Sequence, residues 1–169
     1  MENEIEINEK QLERIDAFYE LLMEKNRVMD LTNITEPREV ALRHMADSLF
    51  LTKCADFSGK KVADIGTGAG FPGLVLAAAY PDCQITLLDS TGKKLKAVED
   101  IASNMGVSNV QIVHMRAEDA GKKPEFREQY NYATARAVAE LRVLLEYTLP
   151  FVKVGGSFLS LKGASAIDE

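Results

Sequence analysis

The sequence predicts an α/β fold, a mostly parallel β-sheet covered on both faces, in which residues 1–57 form an N-terminal helical cap on a core of 58–169, together one compact domain. Three observations predict it. After residue 58, short apolar runs rich in Val and Ile alternate with amphipathic helical stretches, the grammar of consecutive βα units. A cluster of glycines separates the first such run from the helix that follows it. The first 57 residues carry helical periodicity instead.

Each element follows in order. From Glu9 to Met29, Leu12, Ile15, Phe18, Tyr19, Leu22 and Met23 recur at steps of three and four, with charged residues between them. A second helical pattern runs from Pro37 to Lys53. It places Thr35 as N-cap, Pro37 in the first turn, and Val40, Leu42, Met45, Leu49 and Leu51 at apolar positions. Lys61–Ile65 reads as the first strand, Phe71–Tyr80 as the helix after the glycines, and Gln84–Leu88 as the second strand, reaching Asp89. A helix carrying Leu95, Val98, Ile101 and Met105 ends at Gly106, and Val110–His114 forms the third strand. Glu118–Gln129 is polar and reads as a loop, Tyr132–Ala135 as strand four, Val138–Leu149 as a helix stopped by Pro150, and Ser157–Leu161 as strand five.

Bulk properties narrow the function. With 169 residues, 46% hydrophobic and 27% charged, the chain has the composition of a soluble globular protein, and no apolar run approaches the ~20 residues that span a bilayer. The acidic start Met1-Glu2-Asn3-Glu4 is unlike a signal peptide, so the expected compartment is the cytoplasm. Cys54 and Cys83 have no His or Cys at metal-ligand spacing and read as buried free thiols, with no metal site. A net charge of −6 argues against DNA or naked nucleic acid in general, yet leaves room for a folded RNA or ribonucleoprotein met by a local basic surface.

In an open parallel sheet, ligands sit beyond the carboxyl ends of the strands where the strand order reverses. The run Asp64-Ile65-Gly66-Thr67-Gly68-Ala69-Gly70 occupies that place after the first strand. Gly66, Gly68 and Gly70 allow a tight turn and close approach of a ligand, and Asp64 brings a carboxylate to the strand end. A dinucleotide fingerprint needs Gly-x-Gly-x-x-Gly, but Phe71 stands where the third Gly belongs and Gly70 comes one residue early. The spacing therefore favours S-adenosylmethionine over NAD. Asp89, about 20 residues on, is placed to accept hydrogen bonds from ribose hydroxyls. Arg116-Ala117-Glu118-Asp119 follows the third strand, beside the expected adenine.

The strings DIGTGAGFPGL, RHMADS at Arg43–Ser48, LLDS with Lys93-Lys94, TARAVA and LKGASA occur in one order across the chain. Together they resemble the GidB/RsmG family, the bacterial 16S ribosomal RNA guanine-N(7) methyltransferases. The resemblance implies a Rossmann-like S-adenosylmethionine-dependent methyltransferase whose partner is 16S rRNA or the small ribosomal subunit. It implies cofactor contacts at Gly66, Phe71, Asp89, Ser90, Thr91, Ala117, Glu118 and Arg136. It also raises His44 and Arg136 to candidates for the catalytic side, and Lys162 joins them by position, just past the fifth strand at the carboxyl edge, where a cation meets phosphate or base. We expect a monomer.

The chain departs from the family at Asp30, where Asn is common, and at Lys25, where Trp is common. Family members continue past the segment matching Leu161 to Ala166 with a further helix and two strands, so the expectation is a sheet lacking its last strands, with an exposed edge. Attack by a guanine N(7) lone pair needs no general base, so the absence of a Ser-His or metal constellation fits the chemistry, and catalysis rests on alignment. A nucleotide-dependent oxidoreductase, a noncatalytic adenosyl-binding protein and a methyltransferase for another substrate are the alternatives.

Overall fold

The computed structural model describes residues 7–136 and 140–161. Lys162 and the expected helix start at Val138 lie outside the described residues. Helix α1 spans Glu9–Asn26 and is opened by a capping box, in which the Asn8 side chain accepts from the Gln11 amide at 3.0 Å and the Gln11 side chain accepts from the Asn8 amide at 2.8 Å. Its buried stripe is Ile15, Phe18 and Leu22, but Leu12, expected on that stripe, is exposed.

The second helical run is continuous but not uniform. It comprises α2 (Pro37–Val40), a π-helical stretch (Ala41–Ala46), α3 (Asp47–Phe50) and a final 3-10 turn (Leu51–Lys53). Glu36, not Thr35, is its N-cap, because the residue before proline is held extended and its carboxylate accepts from the Glu39 amide at 2.8 Å. The widened π turn shifts the helical phase, and Leu42 faces solvent rather than the core.

A parallel five-stranded sheet follows, in the order β3-β2-β1-β4-β5, with β1 at Lys61–Ile65, β2 at Gln84–Asp89, β3 at Val110–His114, β4 at Tyr130–Arg136 and β5 at Val152–Leu161. The order reverses between β1 and β4, which puts Gly66 and Arg136 side by side at the carboxyl edge. Strands β4 and β5 begin earlier than the sequence predicts: the alternation of β4 extends back through Asn131 to Tyr130, and β5 runs from Val152 through the Gly155-Gly156 pair that reads as a break in the sequence. Helices α4 (Gly73–Ala79) and α5 (Gly92–Asn104) pack with α1 on one face, while α6 (Ala117–Ala120) and α7 (Leu141–Thr148) belong to the other. The short helix α6 lies where a loop was expected to begin.

Side-chain alternation sorts β1 and β2 between two cores. Val62, Ile85 and Leu87 join Phe18, Leu22, Leu74 and Ile101, whereas Ala63, Ile65 and Leu88 join Val113, Tyr130 and Phe151. Each fully buried Leu, Ile or Phe contributes on the order of 1.5–3 kcal/mol. The amide of Asn109 reaches the carbonyls of Ala77, Tyr80 and Cys83 at 2.9–3.2 Å, closing the end of α4 where its last carbonyls have no helical partner. Cys83 is buried as expected, but Cys54 is exposed because it follows the last 3-10 turn on the surface. Among the described residues, no helix is long and apolar enough to cross a membrane.

Candidate functional site

The glycine turn is shaped by Asp64. This carboxylate is fully buried and bonded on both oxygens: Oδ2 accepts from the Thr67 hydroxyl at 2.7 Å and the Gly73 amide at 3.0 Å, and Oδ1 accepts from the Thr134 hydroxyl at 3.1 Å. It ties β1, the turn, the start of α4 and β4 to one another. The sequence reading that gives Asp64 to a ligand is thus corrected, since neither oxygen faces a cavity. The turn then folds over β2 as the Gly66 and Thr67 amides donate to the Leu88 carbonyl at 2.8 and 3.0 Å. Gly66, Gly68 and Gly70 have φ of 71°, 57° and 97°, a left-handed backbone that side-chain-bearing residues rarely adopt. Gly73 is required for another reason: a Cβ there would overlap the Leu87 side chain and lie 2.8 Å from Asp64 Oδ2.

Two cavities open on this turn. The first, of about 400 Å³, lies beyond β1, β2 and β3 and brings together Gly66, Gly68, Asp89, Ser90, Ala117, Glu118 and Arg136. Of the predicted cofactor residues, Asp64, Gly70, Phe71 and Thr91 do not line it. Gly70 is buried under the Leu74 side chain, and Thr91 supplies its amide to Asp89 Oδ1 at 2.8 Å instead of a side chain to the cavity. Asp89 Oδ2 also accepts from the Gly68 amide at 2.9 Å, so each oxygen is aimed by the backbone and keeps a lone pair for a ligand hydroxyl. Met115 and Tyr147 give this cavity apolar surface, and Lys94 and Arg116 give it cations. Tyr147 carries no recognisable motif; only its place on the helix after β4 marks it.

The second cavity, of about 340 Å³, lies between the N-terminal segment and the turn, walled by Thr32, Arg43, His44, Thr67, Phe71 and Arg136. It shares Gly66, Gly68 and Arg136 with the first. Phe71 packs here, with ring centroids 4.7 Å from Phe18 and 4.6 Å from His44, and with the Arg136 guanidinium 4.7 Å above its ring. His44 is buried, its Nε2 lying 2.9 Å from the Thr32 hydroxyl and its Nδ1 3.0 Å from Arg136 Nη1. The same Nη1 donates to the Arg43 carbonyl at 3.2 Å. Sequence reasoning missed Asn26, which clamps this wall: its Oδ1 accepts from the Leu31 and Thr32 amides at 2.9 and 3.0 Å, and its Nδ2 donates to the Thr32 carbonyl at 2.9 Å. Asp30 beside it is exposed.

Burial governs the charges. It pushes the Asp64 carboxyl up to about 6, against the pull of its three hydrogen bonds and the nearby Arg136. It lowers His44 below the usual histidine value, and the Arg136 charge lowers it further, so the imidazole is neutral near pH 7. Burial also lowers Arg136, while Asp64 and Asp47 act the other way. His114 serves locally: its Nε2 lies 3.0 Å from the Ser90 carbonyl and its ring covers Gly92. Among the described residues, no group of three or more His, Cys, Asp or Glu is arranged to hold a metal.

Comparison with known proteins fits this geometry. The model of the family described as rRNA small subunit methyltransferase G matches residues 11–169. A protein of that name from Leuconostoc citreum is 45% identical over 98% of this chain and 70% of its own length. Another from Thermoanaerobacter sp. is 45% identical over 94% of this chain and 66% of its own. Among solved structures, an S-adenosylmethionine-dependent O-methyltransferase from Thermotoga maritima superposes with a TM-score of 0.63 at 18% identity, over 87% of this chain and 52% of that one. At that identity the likeness speaks for the fold alone.

Proposed function

The chain belongs to the rRNA small subunit methyltransferase G family, and from that premise we propose that it transfers a methyl group from S-adenosylmethionine to N(7) of a guanine in 16S ribosomal RNA. The observation that carries the reading is the first cavity. Asp89 is held by two backbone amides at the end of β2, opposite a glycine turn where a Cβ on Gly68 would meet nothing nearer than the Gly66 carbonyl at 3.9 Å. The residues fit the cofactor part by part. Asp89 would accept from the ribose hydroxyls, Ala117 and Glu118 would offer an amide and a carboxylate to the adenine edge, and Met115 and Tyr147 would supply the apolar surface for its ring. Gly66, Gly68 and Arg136 stand at the amino-acid end, where the guanidinium meets a carboxylate.

When bound, S-adenosylmethionine supplies a methyl group made electrophilic by its sulfonium. The chain's own part is alignment. The turn fixed by Asp64 sets the donor side, and N(7) of guanine attacks with a lone pair that carries no proton, so no side chain has to remove one. Holding the reacting atoms in line at contact distance is worth several orders of magnitude in rate. The same reading places the protein in the cytoplasm, with the small ribosomal subunit or its RNA as its partner.

Calorimetry with S-adenosylhomocysteine, paired with labelled methyl transfer to undermethylated small subunits, tests it. Asp89→Ala is expected to weaken cofactor binding about 10- to 100-fold, the loss of a charged hydrogen-bond acceptor. Unchanged affinity in that variant removes the cofactor from this cavity. Binding of cofactor with no label entering the subunit rejects the enzyme.

A further inference from the structure

The second cavity lies outside the cofactor contacts just assigned, yet only glycine backbone and one guanidinium separate it from the first. An in-line transfer needs an acceptor site that borders the donor site, and along the Gly66 and Gly68 part of the shared boundary no side chain stands between the two, with Arg136 beside it. The opposite wall is His44, and its hydrogen bonds define its state. Nη1 of Arg136 can only donate, so Nδ1 of His44, 3.0 Å away, accepts. Nδ1 also lies 3.1 Å from the Arg43 carbonyl, and the two acceptors converge on the one Nη1 group. The ring proton then belongs on Nε2, where it is donated to the Thr32 hydroxyl at 2.9 Å.

Resting on the methyltransferase reading, we propose that this cavity receives the acceptor base and that His44, as a neutral imidazole, is the positioning residue that holds Arg136 at the boundary between donor and base. With Nη1 committed to the N-terminal segment, Nε and Nη2 of Arg136, which make no hydrogen bond among the described residues, are left for the cofactor. Neutrality matters twice. Methyl transfer moves positive charge onto the base, which a second cation in this wall would oppose. Protonation would also turn Nδ1 into a donor toward the Arg43 carbonyl, taking from Arg136 both partners of Nη1. The charged groups that bear on His44 are Asp47 in its own helical run and Arg136 from β4, with Asp64 of β1 and Asp47 acting on Arg136, while the Arg43 guanidinium is paired with Glu39.

Three measurements on the full chain test the proposal. Nitrogen NMR of the two histidines is expected to show His44 in the Nε2–H form, with its pKa rising toward the ordinary value in Arg136→Met. An Nδ1–H tautomer overturns the contact without reference to activity. Methyl transfer at saturating subunits is expected to fall in acid, at a pH below the ordinary histidine value, because burial and Arg136 lower His44. His44→Gln, whose side-chain oxygen still accepts from Arg136, is expected to flatten that acid limb, while His44→Ala lowers kcat by about 10²-fold at every pH. A limb that persists in His44→Gln overturns the positioning role. Thr32→Trp, which fills the cavity, is expected to lower methyl transfer at least about 10²-fold while affinity for S-adenosylhomocysteine stays in place. Continued transfer in this variant places the base elsewhere. Loss of cofactor affinity in the unaltered chain would instead reject the reading beneath the proposal.

Discussion

The two cavities at the carboxyl edge of the sheet share a wall but are built in opposite ways. The first is local and backbone-made: Gly66, Gly68, Asp89, Ser90, Ala117 and Glu118 sit at or just beyond the ends of three consecutive strands, and main-chain amides aim the Asp89 carboxylate. The second is assembled from side chains far apart in the chain. His44 and Arg136, 92 residues apart, meet over Phe71 through hydrogen bonds, ring packing and a cation–π contact. A site made of strand ends inherits its geometry from the sheet, whereas a site made of buried polar side chains depends on protonation and packing. The first therefore suits a ligand common to many proteins of this fold, and the second suits a ligand particular to this one.

The largest expected effect comes from breaking what the cavities have in common. Asp64 and Gly73 set the turn that walls both, so Gly73→Ala drives a methyl group into Leu87 and Asp64, and Asp64→Ala leaves the buried Gly73 amide without its acceptor. Each is expected to cost about 2–4 kcal/mol of stability and to lower cofactor affinity by about 10²-fold or more. Urea titration and calorimetry check both. Retention of full affinity in Gly73→Ala would mean that the turn does not transmit strain from α4 to the cavities.

A smaller effect separates charge from shape in the same anchor. The folded Asp64 carboxyl titrates at about 6 against an ordinary 3.8, so between those values the folded chain holds a proton that the unfolded chain has released. The group's contribution is present below ~3.8 and is lost as pH rises through ~6, an effect on the order of 3 kcal/mol at most. Asp64→Asn keeps an acceptor for Thr67 and Gly73 and lets the Thr134 hydroxyl accept from the new amide. The stability difference between Asp64→Asn and the unaltered chain is expected to shift in favour of the variant as pH rises from about 4 to 6.5. A difference that does not vary with pH would show that Asp64 is ionised throughout.

The same contrast explains what was legible in the sequence. Strand one, the glycine turn, Asp89 and Ala117-Glu118 could be read because the chemistry of a βα turn is written in adjacent residues and because ligands gather where strand order reverses. Asp64 was found but misassigned. A carboxylate at a strand end looks the same in sequence whether it faces a ligand or, as here, three internal donors. The Arg136–His44–Phe71 unit could not be derived from spacing, since it depends on how the π turn of 41–46 rotates His44 inward and Leu42 outward, and no periodicity announces that register change. The Asn26 clamp escaped for a like reason, because a polar residue at a helix end reads as solvated until its partners are seen.

The smallest expected effect lies at the outer support of the second cavity. Helix α1 carries Asn26 to the Thr32 wall, and one residue earlier Lys25 Nζ meets Asp100 Oδ2 of α5 at 2.8 Å, which holds that carboxyl below its ordinary value. Both side chains are partly exposed, so salt screens the pair and side-chain entropy offsets most of its attraction. Lys25→Met is therefore expected to lower the melting temperature slightly at low ionic strength and not measurably at high salt. Cofactor affinity should stay the same, because α1 reaches the first cavity only through the turn, and its Ile15, Phe18 and Leu22 stay buried in the core whether or not the pair forms. A salt-independent loss of stability, or any loss of cofactor affinity, would show instead that α1 is held from its surface and that the two cavities are coupled through this helix as well as through Arg136.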